Sequence, residues 1–192
     1  MMTNSSSQTT LLTSHKGIDL HAATALLVMK ERLEGGELLE NLLRCEVHSF
    51  CGEPAGWDAH RLLQTGIYFN PNKHHYGVFS GSALSLDGGL ATSSQWLASV
   101  IDTDLVGLPE GSAGVVNALL GGVSPENCSH FDVVSYPSGQ RGPVKSGVLW
   151  RLVIGGDEEL AKKIGISLAI ARGRKQGILI NPHMESWLAI SS

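Results

Sequence analysis

Lys73, His74, His75 and Tyr76 come one residue after an Asn70-Pro71 pair, a place where a chain turns. Adjacent imidazoles change charge near neutral pH, and a loop can present both to a ligand. A second Asn-Pro pair, Asn181-Pro182, is followed by His183 and Glu185. Two turns that each place a histidine beside Asn-Pro point to a shared surface. Arg172-Gly173-Arg174-Lys175 is the concentrated basic segment, and guanidinium forks suit phosphate or carboxylate groups. The same charges at a helix C-terminus would complement the dipole without any ligand. The candidate ligand- or partner-binding set is therefore Lys73, His74, His75, His183, Glu185, Arg172, Arg174 and Lys175.

Other constellations do not carry chemistry. Cys45, His48 and Cys51 have a spacing that resembles a metal site. On a strand, alternation puts both cysteines on one face and His48 on the other, so the three cannot chelate one ion. Cys128 and His130 stand two apart, which by itself defines no nucleophile pair. The glycine-rich stretches Gly107–Gly122 and Gly139–Gly147 match neither nucleotide-binding fingerprint, and no G-x-S-x-G elbow occurs. No catalytic residue, metal or cofactor is assigned on these grounds.

The elements that must position the candidates are partly written as a repeat. Gly-Ile-Tyr-Phe-Asn-Pro at 66–71 and Gly-Ile-Leu-Ile-Asn-Pro at 177–182 keep one register over fourteen positions, reaching Tyr76 in one copy and Trp187 in the other. Repetition reports architecture. Each copy is expected to form a strand (66–70 and 177–181), an Asn-Pro turn, then a second strand.

Leu20, Ala23, Leu27 and Leu33 recur at helical spacing after a capping Asp19, and Gly35-Gly36 ends the run, which predicts a helix over Asp19–Glu34. Leu38, Leu39, Leu42 and Leu43 suggest a second helix over Glu37–Arg44, followed by a strand at Cys45–Cys51. Further helices are expected at Trp57–Thr65, Ser94–Thr103 and Pro109–Leu120. Strands are expected at Tyr76–Phe79, Phe131–Tyr136 and Val148–Ile154. Asp157-Glu158-Glu159 opens a last helix, with Lys162, Lys163, Arg172, Arg174 and Lys175 further along it.

A chain of 192 residues with 42% hydrophobic and 17% charged residues builds a globular core and buries about 70% of its unfolded surface. Met1–Gly17, crowded with Ser and Thr, reads as a flexible tail. The remaining 18–192 form a single α+β domain with two similar halves, 18–85 and 125–192. A net charge of −4 gives no general pull toward nucleic acid or anionic lipid. No signal peptide or membrane span is recognised, and three cysteines, an odd number, fit a reducing cytoplasm.

From Val148 to Ile190 the strand, the acidic helix start Gly155–Ala161 and the segment Asn181-Pro182-His183-Met184-Glu185-Ser186-Trp187 resemble the small PurS-type subunit of phosphoribosylformylglycinamidine synthase. Gly-Ile-Leu-Ile-Asn-Pro is also similar to a segment of the SseB N-terminal family. The first resemblance implies a ferredoxin-like accessory subunit that bridges larger partners. The expected fold is α+β, with two β-α-β-type halves carrying the repeat and a helical, glycine-rich middle. The expected function is a non-catalytic module that binds a protein partner or forms a homo-oligomer; the alternative is a small-ligand-binding protein or enzyme using the turn histidines and the basic segment.

Overall fold

The computed structural model describes residues 8–51, 63–80, 84–85, 89–90, 97–101, 117, 119–121 and 124–190. Its centre is one antiparallel sheet of seven strands: β1 (Gln8–His15), β2 (Leu39–Cys51), β3 (His74–Ser80), β6 (Leu97–Ile101), β7 (Cys128–Pro137), β8 (Val144–Gly155) and β9 (Glu185–Ile190). The strand order is β6-β3-β1-β2-β8-β7-β9, and a separate ribbon pairs β4 (Leu84–Ser85) with β5 (Gly89–Leu90). Two helices, α1 (Leu20–Arg32) and α2 (Glu158–Ala169), cover one face of the sheet over β2, β7 and β8. The fold is α+β.

Residues 8–15 are no tail. Leu11 and Leu12 point to opposite faces of β1, and both are fully buried. The Ser/Thr content misleads because Thr10, Thr13 and Ser14 are buried polar residues on that strand. Thr10 Oγ1 lies 3.4 Å from Ser49 Oγ, which lies 3.3 Å from Tyr136 Oη, so these hydroxyls satisfy one another inside the fold.

The helix expected over Glu37–Arg44 is instead a short 3-10 turn (Gly36–Leu38) leading into β2. Leu39 pairs with Ile154 and Leu42 with Leu152, with a register shift between Leu39 and Asn41. That bulge inserts one extra residue, so two leucines three apart share a face as they would on a helix. The same ambiguity explains Ser94–Thr103, where the described part, 97–101, is strand β6 with its own register shift against β3. The helix expected at Trp57–Thr65 lies mostly outside the described residues, as does most of Pro109–Leu120.

The first element of each repeat copy, 66–70 and 177–181, is not a strand. The alternation is real: Ile67 and Ile178 are exposed, Phe69 and Ile180 buried. Its purpose in the second copy is to close α2. The amides of Ile178, Leu179 and Ile180 donate to the carbonyls of Leu168 and Ala169, groups that a helix end leaves without partners. Arg172, Arg174 and Lys175 lie beyond this helix, whose last turn holds no basic residue, so their charge order does not serve its dipole as expected. Gly165 lets α2 sit down on Phe131 of β7; a Cβ there would enter the Phe131 ring.

Within β8-α2-β9 the helix joins two strands that flank β7, a split arrangement. α1, by contrast, joins β1 and β2, which are direct antiparallel neighbours, and there the order departs from a ferredoxin-like one. At the β7-β8 end, Pro137 cannot donate to the ladder, and Gln140 supplies what is missing: its side-chain amide accepts from Ser146 N and donates to Ser146 O and Pro137 O.

Candidate functional site

The two Asn-Pro turns have the same internal wiring. Asn70 O accepts from Lys73 N and His74 N, and Asn181 O accepts from Met184 N and Glu185 N. Each asparagine side chain caps the amide two residues on, Asn72 in one turn and His183 in the other. Gly66 and Gly177 open both copies with positive φ, 68° and 60°. The equivalent residues His74 and Glu185 both latch their turn. His74 Nδ1 lies 3.4 Å from Asn70 N, while Glu185 accepts from Asn181 N at 2.8 Å and from Ser135 Oγ at 3.1 Å.

These turns do not meet. β3 and β9 run antiparallel with β1, β2, β8 and β7 between them, so the turns lie five strands apart and at opposite ends of the sheet. At about 4.8 Å per strand they are separated by roughly 24 Å across the sheet alone. Lys73, His74 and His75 therefore cannot line one pocket with His183 and Glu185. Arg172, Arg174 and Lys175 belong to a third place, tied to the end of α1 by the bond from Glu34 N to Lys175 O at 3.4 Å.

A continuous polar row crosses the helix-covered face near the first turn. Asp19 caps α1 by accepting from His21 N and Ala22 N, and its other oxygen receives Arg44 at 3.2 Å. Arg44 also reaches Glu46 at 3.0 Å and stacks over Trp150, 5.8 Å to the ring centre. His48 bonds Ser146 Oγ through Nδ1 at 2.9 Å and packs on Tyr68. His15 meets His74 edge-to-face, ring centres 5.0 Å apart. Burial raises the Asp19 carboxyl, but the Ala22 amide and the Arg44 guanidinium more than offset it, so its pKa is lowered. Beside this row, where β1 ends and β2 continues with β8 as its one partner, lies a cleft of about 250 Å³. Ile18, Ala22, Leu26, Leu42, Leu43 and Leu119 give it apolar walls, with His15, Asp19 and Arg44 as its polar side.

On the opposite face, Ser124 Oγ lies 3.3 Å from His130 Nδ1, and His130 Nε2 lies 3.8 Å from Asp132. The order resembles a nucleophile relay. Its last link is too long for a hydrogen bond, and Asp132 is bound bidentately by Arg151 at 2.8 and 2.7 Å. Asp132 is committed to the Arg151 guanidinium and only partly offsets the effect of burial on His130, so the group is structural. Cys45 is fully buried nearby, and burial drives its thiol far above the ordinary value, which removes it as a nucleophile. As alternation predicts, Cys45 and His48 take opposite faces of β2. Among the described residues, no three His, Cys, Asp or Glu side chains converge to hold a metal ion.

His48, His74 and His130 each have a pKa below the usual 6.5, with burial as the first cause. Glu46 opposes it at His48 and Asp132 at His130, while His15 adds to it at His74. The folded form then binds fewer protons than the unfolded chain in the window just below pH 6.5. Stability from these groups is complete above that pH and is lost as pH falls through it. The melting temperature should therefore drop between pH 7.5 and 5.5, and a flat profile would contradict this assignment.

The helical spacing in the sequence picks out Leu20, Ala23, Leu27 and Leu33, but the first three lie on the outer side of α1 and only Leu33 of the four is buried. Leu20, Ala23, Thr24, Leu27 and Val28 form one exposed ridge, while Ala22, Ala25, Met29 and Leu33 face the core. Ile18 is 81% exposed, Leu20 74%, Leu27 58% and Val28 38%. The signal is present in the sequence: within Leu20–Met29 only His21 and Thr24 are polar, so apolar side chains run around more of the helix than one core-facing stripe requires. The chain matches no protein-family model, no curated protein and no solved structure.

Proposed function

We propose that the protein is a non-catalytic cytoplasmic assembly module that docks a protein partner on the outer side of α1. One observation carries this: a helix whose exposed side presents Leu20, Leu27 and Val28 in line, continuous with Ile18 and the apolar cleft. Contiguous exposed apolar surface of this kind marks interaction sites. Lys30 and Arg32 in the last turn of α1, and the Arg172, Arg174 and Lys175 segment joined to its end through the bond from Glu34 to Lys175, set five cations against Glu31 and Glu34 at the C-terminal end of the ridge. The partner chemistry that fits is an apolar segment flanked by acidic residues. Burying each leucine would contribute about 1.5–3 kcal/mol.

The architecture we read as an internal repeat. What supports it is that β3-β1-β2 and β8-β7-β9 meet antiparallel at β2 and β8, and that the outer strand of each half is entered through the same Asn-Pro wiring. A bridging role, as in the accessory subunit that the C-terminal segment resembles, agrees with this reading. The second reading, a small ligand, is favoured only by the cleft of about 250 Å³, whose Asp19 and Arg44 already satisfy each other.

The test is a comparison of capture by the wild-type chain with capture by Leu20→Glu/Leu27→Glu and by Arg172→Glu/Arg174→Glu. Exposed positions change stability little, by less than about 0.5 kcal/mol each. A partner retained by wild type should be lost by the first variant and weakened at least tenfold by the second. Equal capture by all three proteins, each still folded by circular dichroism, would remove the α1 surface from consideration.

A further inference from the structure

Among the described residues the sheet ends at β9 in an unpaired edge. β9 pairs with β7 without a register shift from Glu185 to Ile190, and it contains no lysine, no proline and no bulge, the devices by which sheet edges are usually blunted. The β3-β6 ladder, at the other end of the sheet, is interrupted between Val78 and Phe79. Among the described residues, nothing pairs with the outer side of β9.

The direction of its backbone groups follows from the turn. Met184 O accepts from Ser138 N, so the even-numbered residues of β9 are those bonded to β7. The outward groups are then the C=O of Glu185, the N–H and C=O of Trp187, and the N–H and C=O of Ala189. Glu185 N is already committed to Asn181 O.

We propose that this edge pairs with the β9 edge of a second copy, antiparallel about a two-fold axis through Trp187, joining the two sheets into one. In that register each Trp187 exchanges two hydrogen bonds with its mate, and each Ala189 N–H donates to the Glu185 C=O of the other copy. The donor that the register does not use, Glu185 N–H, is the one that the turn has taken. Charge fits the same occupant. Glu185 is the single charged residue of β9, and it falls opposite Ala189 of the other copy, not opposite itself. Half-buried Trp187 faces its mate as a cross-strand aromatic pair. An isologous contact of this kind closes at two copies. The proposal is independent of the α1 surface.

Sedimentation equilibrium over roughly 1–300 µM should show a monomer–dimer system for the wild-type chain. A189P removes an N–H that faces outward and leaves the β7 ladder its donors, so it should weaken the dimer at least tenfold. S186K sets a charge against Leu188 of the other copy and diagonal to its own mate, and should do the same without any backbone change. Two results overturn the proposal. One is a wild-type chain that stays monomeric throughout. The other is a dimer that survives S186K unchanged but is lost in Leu20→Glu/Leu27→Glu, which would assign self-association to α1. Should A189P fail to fold, S186K decides.

Discussion

Deleting residues 1–17 is expected to abolish cooperative folding. β1 lies between β3 and β2, so its removal strips a strand from the interior of the sheet and opens two new edges. Leu11 anchors the cluster with Phe50 and Val78 on one face, while Leu12 is fully buried on the other. Truncating a buried leucine costs about 2–5 kcal/mol, and a domain of this size has only about 5–15 kcal/mol in total. Loss of both leucines together with two hydrogen-bonded ladders exceeds that margin. The milder variant Leu12→Ala should remain folded but lose about 2–5 kcal/mol in chemical denaturation. If the truncated chain instead unfolds with the wild-type midpoint, β1 contributes nothing to stability and its place in the sheet is wrong.

How much of this is legible in the sequence follows from which residues carry local signals. α1 is readable because Asp19 caps it and apolar residues follow at helical spacing; it stops at Arg32, with Leu33 as an extended C-cap, just short of Gly35, whose φ of 84° opens the 3-10 turn. α2 is readable from Asp157, which accepts from Leu160 N, and from the acids behind it. β7 and β8 are readable as apolar runs but come out too short, since Cys128–His130 and Val144–Gly147 extend the pairing with half-buried or small residues. β1 is illegible because a polar strand composition is satisfied only by partners distant in sequence, Ser49 and Tyr136 among them. The bulge near Glu40 is likewise a property of pairing with β8, and no local rule reveals it.

For the candidate residues the outcome divides along the same line. The local geometry of the Asn-Pro turns follows from sequence, because asparagine side chains bond amides two residues away whatever surrounds them. Their separation does not, because it depends on strand order. A repeat says that two elements are alike and says nothing about where in the sheet they lie. His74 and Glu185 have the residue types of a chemical site, yet each is engaged in holding its own turn.

The second large effect is expected at the ion pair of Asp132 and Arg151. Both side chains are almost fully buried, and the guanidinium binds the carboxylate through Nε and one terminal nitrogen. Removing one partner leaves the other charged in a low-dielectric interior, so Asp132→Leu or Arg151→Met should each destabilise by about 3–5 kcal/mol. Replacing both should recover most of the loss, because well-packed apolar groups of similar volume often equal a buried pair. Chemical denaturation of the two single variants and the double variant measures this as a coupling energy. The same cycle separates structure from chemistry at His130. If the pair is structural, the folded double variant should retain the partner that the α1 surface captures. Additive losses, with the double variant no more stable than the sum of the singles allows, would show that the two groups act through other neighbours and not through each other.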